Sequence, residues 1–184
     1  TGIDPMTLIE KYGADATRFG LIWQAMGGQD IHWAEEHVMA GKKFCNKIWN
    51  ISRFVLENTK DIDICAEYTK ENKIVRSRFE KITTKNVNKN IENYEFGQAL
   101  HEIYDFIWHE FADMIIEHSK TVFKDGTDKE RASQKKLILL ILKDSIKLLH
   151  PFMPFITEEI WQNLPLQHSS GQAENKKALI IEQW

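Results

Sequence analysis

Gly41–Glu57 reads GKKFCNKIWNISRFVLE, and its periodicity settles what kind of protein this is. At about 100° per residue of an α-helix, Phe44, Ile48, Ile51 and Val55 fall on one stripe. Cys45, Trp49, Ser52 and Leu56 widen that stripe into a face broad enough to bury. Lys43, Asn46, Lys47, Asn50 and Arg53 take the opposite side. Phe54 breaks the pattern, because its angle places it among Lys43, Lys47 and Asn50. Lys47, Asn50 and Phe54 are spaced i, i+3, i+7 and so share one side. An aromatic ring framed by cations and amides suits an unpaired nucleotide: the ring stacks on a base, cations hold phosphates, and amides read base edges. Spacing alone equally allows Phe54 to pack on a neighbouring helix, which is the commoner fate of such a ring.

Outward from this stretch the same period recurs. Asp4-Pro5 has the form of an N-cap followed by a first-turn proline, and Gly13 ends that short helix. Asp15 is expected to cap a second helix to about Met26, with Phe19, Ile22, Trp23 and Met26 inward, closed by Gly27-Gly28. Residues 29–33 read as an extended or turning connection, and the long helix follows over about 34–58. Residues 59–68 read as a loop in which Ile62 and Ile64 could form a brief strand. A helix with one narrow apolar stripe (Ile74, Phe79, Ile82, Val87) and a wet outer face is expected over about 69–90. Residues 95–123 carry Leu100, Ile103, Tyr104, Ile107, Phe111, Met114 and Ile115 at helical spacing. The run LILLILKDSIKLL within 129–150 is apolar enough for the centre of a bundle. Pro151 stops it, and Pro154 starts a helix holding Phe155, Ile156, Ile160 and Trp161. Residues 167–177 are polar, and 178–184 could be a final strand. The expected class is all-α, an antiparallel helix bundle with short loops.

The 184 residues, 42% hydrophobic and 11% aromatic, suffice for one sizeable core. The formal net charge of −3 confines any nucleic-acid binding to a local patch. Two cysteines, Cys45 and Cys65, give no disulfide framework and no metal spacing, which fits a reducing, cytosolic setting. No apolar run is long enough to span a membrane, and no signal peptide is expected. The chain begins at Thr1 and enters a helix at once, as expected of a piece of a longer protein.

Catalytic groups are not clustered. Gly27-Gly28 lacks the preceding strand and following lysine of a phosphate loop. His101, His109 and His118 have no i, i+4 histidine partner, so no zinc helix is formed. His150 stands at a helix end, where it can meet the last carbonyls. Glu158 and Glu159 are adjacent and face different ways, and Ser52 has no neighbouring base.

Five strings go further: KYGADATRFGLI (Lys11–Ile22), GQDIHW (Gly28–Trp33), FCNKIWNISRFVL (Phe44–Leu56), YDFIWHEFADMIIEHSK (Tyr104–Lys120) and LLHPFMPFITEEIW (Leu148–Trp161). In content and order they resemble the class I aminoacyl-tRNA synthetases, and most closely the valyl-tRNA synthetase family. The leucyl family is also similar, chiefly at HPFMPFITEEIW. The resemblance implies a bundle of the class I anticodon-binding type, with residues 1–33 as a stem-contact connector following the catalytic domain and 34–184 as the helical anticodon-binding domain. It implies a parent enzyme that uses ATP and Mg²⁺ to attach valine to its tRNA. The HIGH and KMSKS motifs are not among these residues, so this chain is expected to hold no cofactor and no metal and to be inactive alone. Its expected partner is valine-specific tRNA, with no membrane, as a monomer. By matching motif, Lys47, Arg53 and Phe54 become anticodon contacts, joined by Lys43, Asn46, Asn50 and His32. Two positions where the family commonly has arginine are His32 and Glu36 here; Glu36 would repel a phosphate, and Lys42 and Lys43 could restore charge. The alternatives are the same domain of a leucyl enzyme, or a helical protein-interaction module with Phe54 as its hot spot.

Overall fold

The fold was obtained as a computed structural model, which describes residues 4–26, 34–165 and 178–181. Helix α1 (Pro5–Tyr12) starts as its sequence requires. The Asp4 carboxylate accepts the Met6 N–H at 2.9 Å, and Pro5 fills the first turn, where a missing donor is harmless. Gly13 turns the chain at φ 93°, a conformation open to glycine, into α2 (Ala14–Trp23). α2 stops at Trp23, short of Met26, and the Gln24 side chain then both donates to the Gly20 carbonyl and accepts from the Ala34 N–H. The expected Gly27-Gly28 stop and the 29–33 connection lie outside the described residues.

Helix α3 (Glu35–Asn58) is the spine. Phe44, Ile48, Ile51, Ser52 and Val55 are buried as their period dictates. α2 crosses α3 at very close range. A Cβ on Gly20 would stand 2.6–2.8 Å from Val38, backbone included, and one on Gly41 would stand 2.8 Å from the Ala16 carbonyl oxygen. Only glycine lets the two backbones approach so nearly. The crossing is filled by rings: Phe19 to Trp23 at 5.0 Å, Phe19 to Phe44 at 5.5 Å and Phe44 to Tyr104 at 4.8 Å between centroids. Cys45 lies beside this junction, and burial pushes its thiol up to about 12, with the Asp15 charge adding to the rise. Cys65 is exposed.

Three further rods complete the bundle. The first joins α4 (Lys70–Arg78), a π-helical segment Phe79–Thr84, and α5 (Lys85–Glu92). The next joins α6 (Phe96–Asp105), a π-helical segment Phe106–Ile116, and α7 (Glu117–Asp125). The last is α8 (Asp128–Leu149). Thr69 caps α4 by accepting the Asn72 N–H, and Thr127 with Glu130 forms a capping box on α8. α3 and the 96–125 rod run the same way, since Phe44 meets Tyr104, Lys47 meets Asp113 and Phe54 meets Phe123 in order along both. α3 packs on the 96–125 rod and α8, and the 70–92 rod packs on α6 and α8. α3 and the 70–92 rod therefore occupy opposite corners. α8 is the most buried element, with Leu137 to Leu142 and Ile146 to Leu149 largely closed off from solvent, in keeping with its apolar centre.

Helix α9 (Pro154–Asn163) corrects the expectation for Asp15. The helix it was expected to cap begins at Ala14. The buried Asp15 carboxylate instead accepts the N–H groups of Phe155 at 3.2 Å and Ile156 at 2.7 Å. It caps a helix 140 residues away, because Pro154 brings no capping side chain of its own. His150 is likewise turned from the expected carbonyls to the Thr157 hydroxyl, 2.8 Å from Nδ1, and burial there lowers its pKa.

Other expectations fail for physical reasons. Leu179–Ile181, the described part of the expected final strand, is a single 3-10 turn whose Leu179 N–H donates to Glu158, and it pairs with no strand among the described residues. Residues 59–68 hold turns at 60–61 and 64–65, and Ile62 and Ile64 pair with no strand among the described residues. Trp49, Ile74, Met114 and Phe155 are exposed although their period placed them inward. Trp49 lies at the margin of its face, and Ile74 lies at the rim of the cleft between α4 and the 106–116 segment, lined also by Phe106, Met114 and Ile115. Met114 lies in a π segment, where each residue advances less than 100°. The 167–177 stretch lies outside the described residues. Among the described residues no helix is long and apolar enough to cross a membrane.

Candidate nucleic-acid interface

The outward side of α3 presents Lys43, Asn46, Asn50 and Arg53, all exposed. These are the residues whose angle placed them opposite Phe44 and Ile48. Lys43 has no ion-pair partner among the described residues. Arg53 has only Glu57, at 3.9 Å one turn on, both exposed, a pair of small energy that leaves the guanidinium available. Lys47 is more constrained. Its ammonium donates to Asp113 at 2.8 Å and lies 4.7 Å from the Trp108 ring centre. A phosphate arriving there must share Lys47 with a carboxylate.

Phe54 requires a correction. Its angle suggested an outward ring among the cations. The ring is half-buried and stacked on Phe123 of α7, with centroids 6.2 Å apart and planes inclined by 22°. α7 fills the space beside that side of α3, a fact invisible to the helical wheel of α3 alone. One side of Phe54 is thus committed to protein, and what remains accessible is held in a fixed orientation.

At the amino end of α3, Glu35 accepts hydrogen bonds from Lys11 and Tyr12, and the Lys11 bond, foremost, holds its carboxyl below the usual range. Lys42 turns back to the Lys11 carbonyl and the Tyr12 ring, so it does not supply the charge expected of it on the α3 face. Glu36 is exposed and has no ion-pair partner among the described residues. His32 lies outside the described residues. Sequence reasoning missed Asp113, Trp108 and Phe123, which tune this face from the parallel rod. No local period could have named them, since each lies more than 60 positions away along the chain.

Residues 72–184 match the family described as the anticodon-binding domain of tRNA ligase. The chain belongs to that family. It is 42% identical over 174 residues to the valine–tRNA ligase of Bacillus anthracis, covering 92% of the chain and 20% of that relative. It is 42% identical over 171 residues to that of Symbiobacterium thermophilum, covering 90% and 19%. The chain therefore spans about a fifth of the length of the curated relatives it matches. The similarity to the valyl rather than the leucyl enzymes read from its motifs holds. Among solved structures it resembles the Agrobacterium radiobacter K84 LeuRS–tRNA–LeuAMS ternary complex, with TM-score 0.61 and 18% identity over 90% of this chain and 20% of that one. It also resembles free Mycobacterium tuberculosis methionyl-tRNA synthetase, with TM-score 0.69 and 16% identity over 87% and 34%. At such identities the likeness is one of fold, and the fold is the helical bundle expected.

Proposed function

We propose that this chain is the tRNA-binding part of a valine–tRNA ligase and that its α3 face reads the anticodon. The observation that carries the proposal is the exposed run Lys43, Asn46, Asn50 and Arg53 along one side of α3 in a chain of the anticodon-binding family. Cations at the ends of the run meet phosphates, the two amides between them offer paired donors and acceptors to base edges, and Phe54, steadied by Phe123, provides an apolar edge for a splayed base. Lys47 holds the face in register through Asp113. His32 joins the same proposed set. Residues 1–33 serve as the stem-contact connector and 34–184 as the anticodon-binding domain, in a cytoplasmic, monomeric ligase whose partner is valine-specific tRNA.

In the parent ligase, ATP and Mg²⁺ activate valine before transfer to tRNA. Residues of this chain do not fit either group. No phosphate-cradling glycine loop is present, and among the described residues no three His, Cys, Asp or Glu side chains are grouped as a metal requires. The chain's role is to bind and orient RNA.

The test is a titration of this chain with valine-specific tRNA and with the same tRNA carrying an exchanged anticodon. The native anticodon is expected to bind more tightly by about 1–3 kcal/mol, the size of one or two base contacts. Phe54→Leu, which keeps packing against Phe123, is expected to remove much of that difference. Equal affinity for the two tRNAs overturns the proposal.

A further inference from the structure

The corner opposite α3 is the most basic part of the chain. Residues 70–92 hold seven lysines and arginines against three acids, in a chain whose formal net charge is −3. Arg76 is occupied by Glu80 and Asp144, and Arg78 by Glu110. The five lysines, Lys70, Lys73, Lys81, Lys85 and Lys89, are all exposed, and among the described residues none has an ion-pair partner.

Their alignment depends on the π segment. In an uninterrupted α-helix, at about 100° per residue, Lys73 and Lys89 would face directions about 160° apart. The wider turn over Phe79–Thr84 advances only about 80° per residue, which returns all five lysines to an arc of about 60°. Lys73 and Lys81 line one open surface depression together with Ile74, Ser77 and Arg78. The stripe is about 28 Å long at the usual helical rise, the length of about eight phosphates of a stacked strand. Glu92 is the one acid at its edge.

At the end of the stripe the chain turns at Tyr94, which has φ 62°, the one positive φ outside glycine among the described residues. The Glu95 N–H donates to the Asn90 carbonyl and the Tyr94 N–H to the Ile91 carbonyl, so Tyr94 occupies the left-handed residue of a Schellman turn, the place where glycine is ordinarily found. A bulky residue is strained there, yet Tyr94 is 82% exposed and buries little in return. Phe96, 44% exposed, meets it edge to face at 6.2 Å. A row of unpaired lysines that ends in two open aromatic rings is the arrangement that single-stranded nucleic acid demands, with a cationic track for the backbone and π-faces for bases.

We propose that the 70–92 rod and the Tyr94–Phe96 turn form a second RNA-binding surface, for an unpaired strand, at the corner of the bundle opposite α3. It shares with the function proposed above only the class of partner, RNA, and stands without the α3 contacts. The strand lies along the lysines and stacks a base on Tyr94. The strain at Tyr94 is accepted because the ring is needed outside.

Two variants of the 184-residue chain test this with a labelled oligouridine of about twelve nucleotides, a site size usual for such surfaces. Replacing Lys81, Lys85 and Lys89 together by glutamine is expected to weaken binding at least tenfold and to flatten the slope of log affinity against log salt by about two. Tyr94→Gly is expected to move two quantities in opposite directions: binding weakens about tenfold, while the melting temperature rises by about 2–4 °C as the strain is relieved. Unchanged oligouridine affinity in either variant overturns the proposal, as does a fall in melting temperature for Tyr94→Gly. If Arg53→Gln on α3 weakens oligouridine as much as the triple lysine variant, the strand sits on α3 and the second surface is overturned. Loss of capture by phosphatidylserine vesicles with oligouridine binding intact makes the surface a membrane contact and overturns it too. Indifference to anticodon exchange with loss of oligouridine binding in both rod variants removes the α3 reading alone and leaves this one standing.

Discussion

Phe44→Ala is expected to destabilise the chain by about 3–5 kcal/mol, measured by urea unfolding, the range for an aromatic ring removed from a closed core. Phe44 is fully buried and lies between Phe19, Tyr104 and Trp108. Those rings come from α2 and the 96–125 rod, so the cavity would open where three elements meet. Its lining is aromatic and stiff, and the α2–α3 crossing above it is fixed by backbone contacts at Gly20 and Gly41. Neither can move in to fill the space, which places the cost at the upper part of the range. Phe44→Leu keeps most of the volume and is expected to cost about 1–2 kcal/mol. An alanine variant that loses under about 1 kcal/mol would show that this junction does not hold α2 to the bundle.

Asp15→Ala is the second large effect, at about 2–3 kcal/mol. The carboxylate is the acceptor for two N–H groups at the start of α9 and places a negative charge at the positive end of that helix. Alanine leaves both donors without a protein acceptor in a partly buried site, and each such group costs about 1–3 kcal/mol where water cannot reach it. Asp15→Asn keeps one acceptor and loses the charge, so about half the loss is expected. Hydrogen exchange localises the effect: the amides of Phe155 and Ile156 should lose protection before those of α3. If the alanine variant leaves those two amides as protected as before, the cap is not what secures α9.

The helices were legible because their information is local. The stripe Phe44, Ile48, Ile51, Val55 names its own buried face, and Asp4-Pro5 and Pro154 mark helix starts within a few residues. What failed was set by distant partners. Asp15 carries the usual signature of a cap, and it is a cap, but for a helix that the fold brings to it. Phe54 lies at a polar angle on α3, and α7 covers it with Phe123. Met114 lies at a buried angle for an α-helix, and a π segment turns it outward. The lysines of the 70–92 rod show the same limit from the other side. Wound as a plain α-helix they scatter, and only the wider turn lines them up, so this region reads in the sequence as nothing more than a solvated face. Of the α3 site, the exposed Lys43, Asn46, Asn50 and Arg53 were legible, whereas the coupling of Lys47 to Asp113 was not.

The two thiols differ in a way that is of practical use. Cys45 stays protonated at neutral pH, since burial pushes its thiol up to about 12, and a thiol in that form is a poor nucleophile. Cys65 lies exposed in the connection between α3 and α4. A maleimide dye added at neutral pH thus attaches at one position, without mutagenesis, on the loop that joins the two opposed corners of the bundle, where its fluorescence offers a test of the RNA contacts proposed for each corner.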